Sequence, residues 1–152
     1  MIKLKLVLDT NVFNNKEFCN WLLFEKEEKY LPAIVYMEYL HHHLKKGNTE
    51  SMVDAFLEQM NISIIPFGKN EAIYAAKSRF RNWEFNEIAN QKFEDSKHEV
   101  VRNAREYAIG STALNLNAIL VTNNLKGFKW MDDVLTPDEI LENYKNSKIS
   151  QP

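Results

Sequence analysis

Residues 4–12 read LKLVLDTNV: an apolar run interrupted only by Lys5, stopping at an acid, with the next apolar periodicity starting only after Asn11. The run Leu4, Leu6, Val7 and Leu8 favours a short, buried central strand. That strand delivers Asp9 at its C-terminal end. An acid directly after a buried strand is expensive unless it is paired, hydrogen-bonded or bound to a cation. The simpler role for Asp9 is to cap the helix that follows.

Working outward, Phe18, Trp21, Leu22 and Phe24 lie close to a helical stripe, which gives way to the charged residues 25–29. Pro32 suits the first turn of a second helix. That helix runs through Val35, Tyr36, Glu38, Tyr39 and Leu40 and stops at Gly47. Residues 49–60 put Met52, Val53, Phe56, Leu57 and Met60 on one side of a third helix, and residues 61–66 (NISIIP) read as a strand closed by Pro66.

Ile73, Ala76, Lys77 and Phe80 then recur at helical spacing. Residues 83–97 are polar, contain neither Gly nor Pro, and are expected to form a protruding helical insertion. A long helix follows from about His98, carrying Val101, Ala104, Arg105, Ala108, Ile109, Thr112, Ala113 and Leu116. Small residues at Gly110, Ser111 and Ala113 would let it pack closely on the sheet. Residues 118–121 (AILV) have buried-strand character, and Thr122 ends them. A short strand at 133–135, a helix opened by Pro137 and a polar tail complete the chain.

Strands separated by helices predict an α/β fold: a three-layer α/β/α sandwich around a central, mostly parallel sheet. One domain over residues 1–145 with a tail at 146–152 accounts for the length of 152 residues. Function in such a fold belongs at the carboxyl ends of the strands, which directs attention to Asp9 and Asn124.

Composition narrows the classes. With 45% apolar and 26% charged residues the chain is ordinary for a soluble domain. It shows no signal-peptide pattern and no stretch of 18 apolar residues, so a cytoplasmic protein without membrane contact is expected. Cys19 has no cysteine partner and reads as a small inward-facing hydrophobe. A net charge of -2 argues against coating nucleic acid by bulk charge. It leaves room for a site that holds metal with carboxylates.

Asp9, Glu38 and Glu106 are the acids that could converge, although a solvated glutamate is the lesser alternative for Glu38 and Glu106 has no claim over Glu99 from periodicity. Thr10 and Asn11 are suited to hold and orient Asp9. Thr122 could hydrogen-bond a carboxylate; Asn124 could ligate weakly, hold water or shape its turn. Hard oxygen donors of this kind suit Mg2+ or Mn2+. His41, His42 and His43 are consecutive on a helix and point about 100° apart, so they do not converge on one ion. Lys77, Arg79, Arg81, Lys92, Lys97, Arg102 and Arg105 are candidates for a phosphate-binding rim, with Trp83, Phe85 and Tyr107 available to stack on bases.

The opening LVLDTNV and the later REYAIGSTALNLNAILVTNNLKGF resemble the two most diagnostic segments of PIN-domain ribonucleases, most closely toxins of the VapC type. The resemblance covers nearly the whole domain, residues 83–97 least securely. It implies a metal-dependent endoribonuclease that cuts single-stranded or looped RNA and leaves 5′-phosphate and 3′-hydroxyl ends. It also implies an antitoxin protein as partner and a homodimer. Asp9, Glu38 and Glu106 become metal-binding and catalytic acids, with Asn124 at the post-strand position and Thr10, Asn11, Arg105 and Thr122 in support or substrate binding. Glu106 stands where the family usually has aspartate, and Gly127 where some members have a further acid. A non-catalytic PIN-like RNA-binding or scaffold protein is the main alternative, ahead of a DNA-directed nuclease and a small-molecule phosphatase.

Overall fold

The computed structural model describes residues 4–88 and 97–149, with the side chains of 4–82 and 103–144. Five parallel strands form one sheet in the order β3-β2-β1-β4-β5. The strands are β1 (Lys5–Leu8), β2 (Glu28–Pro32), β3 (Ile62–Ile65), β4 (Ile119–Val121) and β5 (Val134–Leu135). β1 is central, as its apolar run predicts. Leu6, Val7 and Leu8 are fully buried, and β1 pairs with β2 on one side and β4 on the other.

Helices α1 (Lys16–Phe24), α2 (Ala33–Lys45), α3 (Glu50–Gln59), α4 (Lys69–Ile88), α5 (Lys97–Leu116) and α6 (Pro137–Ile149) supply the crossovers and outer layers. Thr49 caps α3 by accepting from the Met52 N–H, and Asn15 caps α1 through the Phe18 N–H. The core joins both layers through the sheet, with Phe18, Leu22, Leu31, Val35, Ile109, Leu120 and Phe128 all buried.

β2 corrects the sequence expectation. Residues 25–29 look like a charged connection, yet Glu28–Pro32 is a strand and Lys29 is buried within it. Its Nζ donates to the carbonyls of Leu22 and Glu25 at the end of α1, the second at 2.8 Å. Lysine is tolerated there because the ammonium meets orphan carbonyls at the negative end of a helix. Pro32 accordingly closes the strand and precedes α2.

The segment expected to protrude lies partly outside the described residues. α4 carries its first part to Ile88, and α5 begins at Lys97 and packs along α4. Gly110 permits a closer approach than expected, and to a different neighbour: a Cβ there would meet Trp130 Cη2 at 2.5 Å and Met131 Sδ at 2.6 Å. It therefore admits the segment leading to β5. Among the described residues no helix is long and apolar enough to cross a membrane.

Candidate active site

The strand order reverses between β1 and β4, and a crevice at the carboxyl ends of the strands is expected at such a switch point. Asp9 follows β1 and Thr122 follows β4, held side by side because Leu8 is in register with Val121 and the Asp9 N–H donates to the Val121 carbonyl. Helix α2, which follows β2, brings Glu38, and α5, which precedes β4 and packs on β1 and β4, brings Arg105 and Glu106. Three acids separated widely in sequence thus meet at one place.

Asp9 is fully buried. Its Oδ1 accepts from the Thr10 N–H at 2.7 Å and from Arg105 Nη2 at 2.7 Å. Its Oδ2 accepts from the Thr122 hydroxyl at 2.8 Å and from Asn11 Nδ2 at 3.3 Å. Four donors fill the roughly four lone-pair sites of a carboxylate, which is what makes the charge tolerable in the interior. Asp9 also keeps the capping geometry that a simpler reading allows, because it immediately precedes the 3-10 turn Thr10–Asn14.

Thr10, Asn11 and Thr122 take the supporting positions expected of them. Asn11 donates to Thr122 Oγ1 at 3.2 Å and accepts from the Asn123 N–H at 2.9 Å, tying the loop after β4 to the one after β1. The Thr10 hydroxyl reaches Glu38 Oε1 at 3.4 Å. Asn124 serves its own turn: its Oδ1 accepts from the Gly127 N–H at 3.3 Å while its N–H donates to Thr122 Oγ1 at 3.0 Å.

Arg105 sits among the acids. Its Nε lies 2.9 and 2.8 Å from the two Glu38 oxygens, its Nη2 2.7 Å from Asp9, and its Nη1 3.5 Å from Glu106 Oε1. Partial burial works against the charge, but the hydrogen bonds to Glu38 and the charge of Asp9 outweigh it and hold the guanidinium firmly protonated. Glu106 Oε2 is buried with no hydrogen-bond partner among the described residues. Among the described residues, no group of three or more His, Cys, Asp or Glu side chains is arranged to hold a metal ion. The carboxylates are instead arranged around a guanidinium.

The remaining candidates are scattered. His41 and His42 are exposed on α2, while His43 packs edge-on against Tyr39 with ring centroids 4.5 Å apart. Tyr107 stacks near Trp130 at 4.6 Å and accepts a hydrogen bond from Asn82. It is engaged within the fold, not presented as a free base platform. Cys19 is half-buried, and its burial pushes the thiol pKa up, as suits an unreactive side chain. The side chains of Trp83, Phe85, Lys92, Lys97, Glu99 and Arg102 lie outside the described residues. One feature that periodicity does not reveal is Gly127, whose missing side chain leaves room for Glu106 and Asn124.

The fold is a three-layer α/β/α sandwich of the PIN-like kind. Among solved structures it is similar to a toxin–antitoxin complex from Klebsiella pneumoniae, with 20% identity over 88% of this chain and 98% of that one, at a TM-score of 0.56. It is similar also to VapBC2 from Rickettsia felis bound to a DNA fragment from their promoter, at 23% identity, 88% and 97% coverage and a TM-score of 0.57. VapBC-1 from nontypeable Haemophilus influenzae gives 18% identity, 88% and 96% coverage and a TM-score of 0.57. No family model matches the chain, and no curated protein matches its sequence.

Proposed function

We propose that this protein is a Mg2+- or Mn2+-dependent endoribonuclease of the VapC kind, the toxin of a toxin–antitoxin pair, acting on single-stranded or looped RNA. The observation that carries the proposal is the gathering of Asp9, Glu38 and Glu106, from three separate elements, around one positive group at the switch point of the sheet. A structural salt bridge needs one acid for one base. Three acids for one guanidinium leave an excess of negative charge that suits a divalent ion.

The donor set fits such an ion in its chemistry: all three acids offer hard oxygens, and among the described residues Glu106 Oε2 has no hydrogen-bond partner to give up. Asp9, Glu38 and Glu106 would hold it, with Asn124 bordering the site. A bound divalent ion supplies Lewis acidity that activates water and offsets charge on the phosphate oxygens. Thr122 and Asn11 fix the orientation of the Asp9 carboxylate, and Thr10 does the same for Glu38. No histidine is called on as a base: His41 and His42 are exposed on α2.

The partners are proposed on the same footing. The similar structure from Klebsiella pneumoniae is a toxin–antitoxin complex and the other two are VapBC proteins, which supports an antitoxin protein as inhibitor, with a homodimer and a cytoplasmic location as the accompanying expectation. A second reading, a non-catalytic RNA-binding or scaffold protein, is favoured by one observation: Arg105 already neutralises part of the acidic cluster.

Incubating a pool of structured cellular RNAs with the purified protein and Mn2+, Mg2+ or EDTA, beside Asp9→Asn, separates the readings. Discrete metal-dependent cuts that vanish in the variant are the expected result. Intact RNA binding with no cleavage by either protein would favour the scaffold reading.

A further inference from the structure

We propose that Arg105 is a resident counter-cation that competes with the divalent ion for Asp9, Glu38 and Glu106, so that loading the metal requires its guanidinium to leave. The inference rests on the metal-dependent reading above and adds to it a control on occupancy of the same site.

The lone-pair inventory of Asp9 leads to this conclusion. Its four acceptor positions are taken by Thr10 N–H, Arg105 Nη2, the Thr122 hydroxyl and Asn11 Nδ2. An ion binding Asp9 must therefore displace a donor. The Thr10 N–H is backbone in the adjacent residue. Thr122 is fully buried, and Asn11 is fastened at its other end by the Asn123 N–H. Arg105 alone arrives on a long side chain, and that side chain retains 28% of its exposure.

Glu38 tells the same story, since Arg105 Nε engages both of its oxygens at 2.9 and 2.8 Å. The guanidinium thus engages two of the three acids that would hold a metal. Glu106 is only weakly engaged, at 3.5 Å through one oxygen.

Arg105 borders a largely apolar cleft of about 400 Å³, lined also by Ile34, Phe67, Ala75, Ala76 and Arg79, along which its methylene stem can lie. Arginine stays charged across the whole accessible pH range, so the guanidinium is not released by losing its own proton. A competing cation, or a group that captures the guanidinium, can release it. Apparent metal affinity is then the intrinsic affinity reduced by the fraction of molecules with Arg105 withdrawn.

Mn2+ binding to the full chain without RNA, followed by the electron paramagnetic resonance of free Mn2+, tests this directly. Arg105→Gln should bind Mn2+ at least about tenfold more tightly than the wild type, the withdrawn fraction having risen to unity, and adding Asp9→Asn should cancel the gain. In the unaltered protein, the Arg105 Nε–H proton, shielded by Glu38, should shift to rapid solvent exchange as Mg2+ is added. This NMR measurement holds whether or not the variant folds. Equal or weaker Mn2+ binding by folded Arg105→Gln overturns the inference and leaves the metal-dependent reading standing, as does Mg2+ binding with the Arg105 Nε–H unchanged. Failure of both proteins to bind Mn2+ at millimolar concentration overturns both.

Discussion

Glu106 fills the space that a side chain at Gly127 would need: a Cβ on Gly127 would stand 2.9 Å from Glu106 Cγ and 2.8 Å from Asn124 Nδ2. The longer acid and the missing side chain therefore fit as a pair. Resemblance to PIN-domain ribonucleases puts aspartate at 106 and, in some members, an acid at 127; here one extended carboxylate reaches over the glycine. On the proposed nuclease reading, Gly127→Asp alone should displace Glu106 and lower RNA cleavage by at least about tenfold. Glu106→Asp with Gly127→Asp should recover much of it. A double-mutant cycle on cleavage rate and melting temperature reads the coupling, and simple additivity would contradict it.

Lys29 makes a second prediction, independent of catalysis. Its ammonium is buried and satisfies the Leu22 carbonyl, itself buried, and the Glu25 carbonyl at the end of α1. Lys29→Met keeps the apolar stem and removes the donor. Leaving a buried carbonyl unpaired costs about 1–3 kcal/mol, so urea unfolding should shift by that order. No change would mean that water replaces the ammonium.

The same residue shows why part of the fold was hidden in the sequence. β1 and β4 were legible because LKLVL and AILV are apolar runs that end at a polar residue, and Asp9 and Thr122 follow directly from them. β2 was not, because its sequence EKYLP breaks the apolar pattern with a lysine whose burial depends on the end of another helix. Within the site, Glu38 could be suspected from its apolar helix, whereas Glu106 needed the family resemblance to stand out from Glu99. Arg105 was visible as a basic residue beside an acid. Its engagement with Asp9 and Glu38 depends on three elements meeting, which periodicity along one helix does not encode.

Gly110 supplies a third prediction about packing. A methyl group there would lie 2.5 Å from Trp130 Cη2 and 2.6 Å from Met131 Sδ, distances that force the segment leading to β5 away from α5. Overpacking of this kind costs about 1–3 kcal/mol, against a gain of under about 1 kcal/mol from replacing a helical glycine with alanine. Gly110→Ala should therefore destabilise the protein in urea, with Trp130 fluorescence reporting the displaced ring. A variant as stable as the parent, with unchanged fluorescence, would show that Trp130 yields without cost.

His43 gives the expected pH dependence. Burial pushes its imidazole pKa below the ordinary value, with the neighbouring positive charges of His42 and Lys46 acting in the same direction. With the Asn48 amide as donor, its Nδ1 accepts at 2.9 Å, a role that a proton on that nitrogen would abolish. In the unfolded chain the group titrates near ~6.5. As pH falls from there toward the lower folded pKa, the unfolded state binds a proton that the native state refuses, so stability is lost across that window and levels off beneath it. Urea unfolding at successive pH values should show this acid slope in the parent and a shallower one in His43→Gln, which cannot titrate. Identical slopes in the two proteins would assign the acid sensitivity to other groups.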